Sequence, residues 1–219
     1  MLNSSSWHPV LPAQQLRAGE NIVAGFLQGQ ELALWRSVDG VAQAWENRCP
    51  HRGTRLTLGR ILDGRLSCAY HGWEFEAGTG QCAVIPAQPQ APVPRGVCVK
   101  TWQVAEAGGM VWVSTRPLEP SKPVAAEASS LGFARSLALR VDVALAVRRL
   151  QAQGFLQAGS FVWQGRLAER ELTVYLTEAQ ADWVFLHLFA QAGIDEPGLR
   201  AIMAAARRLR TSIEEGEGV

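Results

Sequence analysis

The chain has 219 residues, 47% of them hydrophobic and 19% charged, which is enough apolar surface for a buried core and rules out a disordered tail. That length makes one large domain or two small ones. Twenty-one Lys and Arg face 20 Asp and Glu, a net charge of +1, so the basic excess of a nucleic-acid binder is missing. No stretch reaches the ~18 uncharged apolar residues of a membrane span; the longest candidate, 183–194, contains His187 and Gln191. The opening MLNSSSWHPVLP has no basic or apolar leader segment, so a cytoplasmic protein without membrane contact is expected. In that compartment four cysteines are read as metal ligands or buried thiols before disulfides.

Strands are predicted over 22–27, 31–36 and 41–45, punctuated by Gly29 and the hairpin signal Asp39-Gly40. Further strands are expected over 82–85, 97–104 and 110–114. Between them IPAQPQAPVPR, with prolines at 86, 89, 92 and 94, must cross in extended form. Pro117, Pro120 and Pro123 then lie in a stiff segment that reads as a linker, with a boundary near residue 120. Beyond it a strand is predicted over 137–141. Asp142 is placed to N-cap a helix running to about Phe155, with Val143, Val147 and Leu150 at helical spacing. Strands over 161–167, 171–177 and 183–189 follow. Pro197 suits the first turn of a last helix, whose stripe of Leu199, Ile202, Met203, Ala206, Leu209 and Ile213 is read as packing on its own sheet. Glu214, Glu215 and Glu217 are read as a solvated tail. The fold class is α+β: an all-β domain of antiparallel sheets over 1–118, a linker over 119–134, and a small α+β domain over 135–219.

Chemistry concentrates in two short loops. Cys49-Pro50-His51 and Cys68-Ala69-Tyr70-His71 form C-x-H and C-x2-H with sixteen residues between, each loop closed by a glycine, Gly53 or Gly72. Glycine allows φ > 0, which is expected to turn backbone amides toward a cluster's sulfurs. A Rieske [2Fe–2S] centre needs two thiolates on one iron and two imidazoles on the other, and each loop supplies one of each. Zinc competes for a Cys2His2 set, and isolated cysteines and histidines are often only structural. Zinc fingers, however, usually pair Cys with Cys and His with His, with the histidines on a helix. Here both pairs are mixed and lie among strands and turns.

Trp7-His8-Pro9-Val10, CPHRGTRLTLG, CAYHGWEFEAGTGQC followed by IPAQP, and GGMVWVS resemble the Rieske domain of non-haem iron oxygenases, above all the vanillate-demethylase-like oxygenase subunits. The resemblance covers residues 7 to about 116. It implies that Cys49 and Cys68 hold the inner iron of the cluster and His51 and His71 the outer one. Respiratory Rieske proteins join an extra cysteine from each loop in a disulfide; Thr54 and Tyr70 stand at those places. Where that group has a serine after His-Gly, this chain has Trp73. One hydroxyl donor to the cluster sulfur is thereby lost, and a potential low in the ~−150 to +300 mV Rieske range is expected. Cys82 and Cys98 are expected on strands as buried thiols, and His8 at the surface or a strand end.

Oxygenases of this family also carry a mononuclear iron on two histidines and a carboxylate. After the cluster only His8 and His187 remain, 179 residues apart. The family motif Asp-x2-His-x4-His, which follows an Asn-Phe-Leu at a helix end, aligns with Gln157 in place of the carboxylate that passes electrons between centres and with Ser160 and Gly165 in place of the two histidines, and neither serine nor glycine replaces imidazole as an iron ligand. A mononuclear iron is therefore not expected. The second half resembles a shortened helix-grip catalytic domain, with TVYLTEAQADWVFLHLFA as late sheet strands and the Arg-rich segment into Glu214-Glu215 as the terminal helix. His187 is read there as an ordinary packed or surface histidine.

The leading expectation is an electron-transfer or accessory subunit of a multicomponent oxygenase, not self-sufficient as an enzyme. It would be fed by a separate flavin or ferredoxin-type reductase, since no G-x-G-x-x-G loop appears, and would pair in an oligomer with a catalytic oxygenase subunit. Two alternatives stand beside it. One is a small oxygenase acting on an aromatic-type substrate by hydroxylation or demethylation, with an atypical iron site such as His187 with acidic residues. The other is a structural or binding subunit whose cluster never turns over.

Overall fold

The computed structural model describes residues 6–116, 121–123 and 131–215. The first half contains β1 (Trp7–Pro12), β2 (Ile22–Leu27), β3 (Gln30–Arg36), β4 (Ala42–Glu46), β5 (Arg60–Leu62), β6 (Arg65–Ser67), β7 (Glu74–Phe75), β8 (Cys82–Val84), β9 (Thr101–Trp102), β10 (Val104–Ala107) and β11 (Met110–Ser114). The second contains β12 (Leu131–Leu139), α1 (Val143–Ala152), β13 (Leu156–Gly159), β14 (Val162–Leu167), β15 (Arg170–Gln180), β16 (Trp183–Gln191) and α2 (Glu196–Glu215). The strands form sheets ordered β2-β3-β4-β9, β5-β6-β7-β8, β1-β11-β10 and β12-β16-β15-β14-β13. Within them, neighbouring strands pair antiparallel.

Short turns set these registers. Gln28-Gly29 and Asp63-Gly64 join their strands with both residues at positive φ, the turn whose twist matches a hairpin. Ala168-Glu169 does the same between β14 and β15, at φ 51 and 59, without the glycine that would announce it. β1 pairs on one side only, with β11, and an edge strand is where Pro9 and Pro12 can sit, since neither can donate to a ladder. From Ile85 to Val97 the proline-rich segment forms neither strand nor helix, as its composition requires.

Asp142 caps α1 as predicted, its Oδ1 accepting from the Leu145 amide at 2.7 Å. The helix stops at Ala152, short of the predicted Phe155. Gly154 takes φ +83, and the Phe155 amide reaches back to the Leu150 carbonyl at 3.1 Å, a helix end in which Leu150 and Phe155 join one core. α1 and α2 cover one face of the five-stranded sheet. Ile202, Ala206, Leu209 and Ile213 of the predicted stripe are buried there with Leu137, Leu172, Leu176 and Leu186, so the stripe serves the chain's own sheet.

The opposite face of that sheet meets the first half. Val162, Tyr175 and Phe189 share a core with Trp7, Met110 and Trp112, and the Trp112 and Tyr175 rings meet edge-on at 5.8 Å. Backbone bonds reinforce the joint: the Gln28 and Gly29 amides donate to the Glu178 and Ala179 carbonyls at 2.9 and 2.7 Å.

Several expectations need correction. The predicted strand over 97–104 breaks up: Cys98 forms only an isolated bridge with Gln81, and β9 and β10 divide the rest. Phe161 is not in β14, because it sits at φ +63. Glu214 and Glu215 end α2; Glu214 is no loose tail, accepting from the Arg140 amide at 3.0 Å and from Arg210 at 2.9 Å. Glu217 lies outside the described residues. Of the linker expected over 119–134, residues 119–120 and 124–130 also lie outside them; Ser121 accepts from the Trp7 indole at 2.7 Å, and 131–134 open β12.

Candidate metal centre

The two Cys–His loops fold alike. In the first, which leaves β4, the Cys49 amide donates to the Thr54 carbonyl and the Gly53 amide to the Cys49 carbonyl, both at 2.8 Å. In the second, between β6 and β7, the Cys68 amide donates to Trp73 at 2.9 Å and the Gly72 amide to Cys68 at 3.0 Å. Gly53 and Gly72 close these turns at φ +78 and +68, a region where a side chain is strained. The glycine amides themselves bond back to the cysteine carbonyls, and it is the amides of His51 and Arg52 that turn toward the Cys49 sulfur, in line with the expectation for such a turn. Asn47 clamps the base of the first loop, exchanging bonds with the Thr57 hydroxyl at 3.0 Å and amide at 2.8 Å.

Because the loops match, their side chains sort by position. The leading residues, Cys49 and Cys68, are 3% and 4% exposed and pack among Trp35, Trp45, Leu56, Leu66 and Phe75. The two thiols are neighbours in this core, close enough that Cys68 helps raise the Cys49 thiol. The later residues, His51 and His71, point outward, half-buried and exposed respectively, with ring centroids 4.7 Å apart. Trp73 lies flat on His51, at 4.3 Å and 5°, and Tyr70 leans on His71 at 3.8 Å. Burial pushes the Cys49 thiol up to about 11, against the pull of the His51 and Arg52 amides; a metal would have to displace that proton. Partial burial, then the charges of His71 and Arg52, hold the His51 imidazole below the usual histidine range.

Two sulfurs together at the buried end and two imidazoles together at the open end fit the donor set of a Rieske cluster, where each iron takes two protein ligands. Among the described residues no three or more His, Cys, Asp or Glu side chains gather as they would around a single metal ion.

The remaining candidates lie elsewhere. All four cysteines are free thiols. Cys82 is buried on β8 as expected, but Cys98 is exposed: Val99 points inward, and alternation turns its neighbour out. His8, expected near the surface, is 5% exposed in β1, its ring 4.7 Å from that of Phe161. Desolvation lowers its pKa to about 4.

His187 is packed. Thr177 donates to the Pro9 carbonyl at 2.6 Å, so its oxygen receives Nε2–H of His187 at 3.1 Å, while the Ser136 hydroxyl meets Nδ1 at 2.7 Å. Desolvation lowers its pKa to about 3. Gln157, Ser160 and Gly165 stand on the β13–β14 hairpin rather than at a helix end. Gln157 is exposed and bonds locally to the Gly159 carbonyl at 3.2 Å. A Cβ on Gly165 would come within 2.7 Å of the Phe155 ring, a packing reason for glycine that spacing alone did not reveal. No helix among the described residues is long and apolar enough to cross a membrane.

Residues 6–103 match the Rieske [2Fe-2S] domain, which spans both Cys–His loops. The chain is 42% identical over 123 residues to oxidoreductase NdmD of Pseudomonas putida, covering 56% of this chain and 21% of that protein. It is 32% identical over 155 residues to aminopyrrolnitrin oxygenase PrnD of Pseudomonas fluorescens, covering 67% of this chain and 42% of that one. It thus spans about a fifth and about two-fifths of the lengths of these relatives. The fold is similar to that of apo dicamba monooxygenase, with a TM-score of 0.73 at 19% identity over 95% of this chain and 85% of the other. Residues 6–103 thus form a Rieske [2Fe-2S] domain, set in a chain whose fold is that of dicamba monooxygenase.

Proposed function

We propose that Cys49 and Cys68 hold the inner iron and His51 and His71 the outer iron of a Rieske [2Fe–2S] cluster. The chain then serves as a cytoplasmic electron-transfer or accessory subunit of a multicomponent non-haem iron oxygenase, without a mononuclear iron of its own. The observation that carries the ligand set is the sorting of donors, thiol beside thiol in the core and imidazole beside imidazole at the surface. Such a cluster supplies reversible one-electron transfer at nearly constant geometry.

The protein's part is to hold and to shield. The core around Cys49 and Cys68 excludes water from the sulfurs. Trp73 fixes the plane of the His51 ring and covers one face of it. His71 is left exposed, so the imidazole end is the one that would be open to a redox partner. The carrier reading is supported by the second half, where both ring nitrogens of His187 are engaged by hydroxyls and Gln157, Ser160 and Gly165 replace the family's ligand motif. Electrons would come from a separate flavin or ferredoxin-type reductase and pass to a catalytic oxygenase subunit within an oligomer. The functional division follows residues 1–118 and 135–219.

Iron, zinc and acid-labile sulfide per chain, measured on anaerobically purified protein, test this. Two irons and two sulfides are expected. A third iron would overturn the carrier reading and restore a self-contained oxygenase; zinc without sulfide would overturn the cluster.

A further inference from the structure

The two Cys–His loops fold alike but are closed at the base in different ways. The second sits on a hairpin: β6 and β7 pair there, Ser67 opposite Glu74, so a rung of the ladder shuts it. No rung shuts the first. β4 ends at Glu46 and pairs with β3 and β9. The next strand, β5, pairs with β6 instead, Arg60 opposite Ser67.

A side chain takes the place of the missing rung. Asn47 is buried, and its backbone amide is fixed to the Glu31 carbonyl of β3 at 3.0 Å. Its carboxamide accepts from the Thr57 amide at 2.8 Å and donates to the Thr57 hydroxyl at 3.0 Å. A donor and an acceptor side by side are what a residue presents across an antiparallel pair. Residues 47 and 57 flank Cys49, His51 and the turn that closes at Thr54.

From Thr57 the connection runs on to the second loop. Leu56 anchors the segment in the core that holds Cys49 and Cys68. Gly59 lies so close to the β6 backbone that a Cβ on it would overlap the Ser67 carbonyl, and Ser67 is the residue before Cys68. Asn47 thus ties the start of the first loop to the β5–β6 pair that carries the second.

We infer that Asn47, Thr57 and Gly59 are positioning residues that hold the two ligand loops in register, an inference that rests on the cluster reading above. In that reading each iron takes one ligand from each loop, Cys49 with Cys68 and His51 with His71. A slip of one loop against the other therefore moves both pairs at once. The same clamp keeps the first turn wound, and with it the His51 and Arg52 amides toward Cys49. Ligands fixed in this way retain metal, and amide donors near the sulfurs favour the reduced, more negative cluster.

The test compares N47A, T57V and T57S with the wild type, each loaded with its cluster and kept anaerobic. Iron loss to a chelator, the EPR g-values of the reduced cluster and the midpoint potential are measured. N47A gives up both bonds and is expected to lose iron ~10–100-fold faster, with altered g-values and a lower potential. T57V gives up one bond at constant shape and should move every reading the same way by less. T57S keeps the hydroxyl and should return them to wild type. If N47A takes up no cluster, T57V against T57S carries the test. G165A, packed badly in the other half, should melt lower yet keep wild-type g-values and potential. Wild-type readings in N47A, equal readings in T57V and T57S, or equal iron loss in N47A and G165A overturn the register role. A wild-type chain without iron and sulfide overturns the cluster reading itself.

Discussion

Lowering the pH from about 8 to about 5 will loosen the joint between the two halves, because His8 and His187 are both buried there as neutral imidazoles. Burial lowers their pKa values from 6.5 to about 4 and about 3. The unfolded chain takes up both protons below its ordinary value, whereas the folded chain resists. The stability is therefore fully present above 6.5 and is lost as the pH falls from there toward about 4 for His8 and about 3 for His187. At about pH 5 each histidine is some 1.5 units below its unfolded value, so each costs ~2 kcal/mol and the pair ~4 kcal/mol. For a chain of this size that is a fall in Tm of ~10 °C.

Calorimetric melting across that range, on wild type and on H8F/H187Q, isolates the effect. Gln at 187 can still donate toward Thr177 and accept from Ser136, and Phe at 8 keeps a ring against Phe161. The exposed His71 and the other surface groups titrate equally in both proteins and cancel in the comparison. The variant's Tm should fall by ~10 °C less than the wild type's between the two pH values. Identical slopes would refute the assignment of the acid sensitivity to these two side chains.

Three further outcomes are expected. In wild type a midpoint potential low in the ~−150 to +300 mV range should be found, and W73S, which removes the stack on His51 and introduces a hydroxyl, should raise it by ~60 mV if one hydrogen bond of ~1.4 kcal/mol is gained; an unchanged potential in redox titration would refute the role given to Trp73. Maleimide should label native protein at exposed Cys98 and reach buried Cys82 only after unfolding, while C98S keeps wild-type iron and sulfide content. G165A forces a methyl to within 2.7 Å of the Phe155 ring and should cost ~1–3 kcal/mol, read as a lower Tm.

What could be read in advance was what depends on near neighbours. The Cys49/His51 and Cys68/His71 loops, the cap at Asp142 and the stripe on α2 each rest on residues within one or two turns of the chain, so spacing carried them. Features that depend on distant partners stayed hidden. His8 is buried because Phe161, far along the chain, lies against it, and nothing around His8 announces that. Strands as short as Glu74–Phe75 hold too few residues to show alternation. The turn at Ala168-Glu169 has none of the glycine that marks Asp63-Gly64. Spacing also left open which donors would meet. One cysteine and one histidine per loop allow mixed or sorted pairs, and only the matching folds of the two turns put sulfur with sulfur.

The seam between the halves bears on how this protein could be cut or fused. Thr177 holds the Pro9 carbonyl, the β2–β3 turn is bonded to β15, and Trp7, Met110 and Trp112 face Tyr175 and Phe189. A fragment ending near residue 116 would present those indoles and the methionine to water and leave the β2–β3 turn amides without their acceptors. The cluster-bearing half is thus not a detachable cassette. To transplant it onto a different protein, one would have to carry the five-stranded sheet along or supply a substitute face of the same shape.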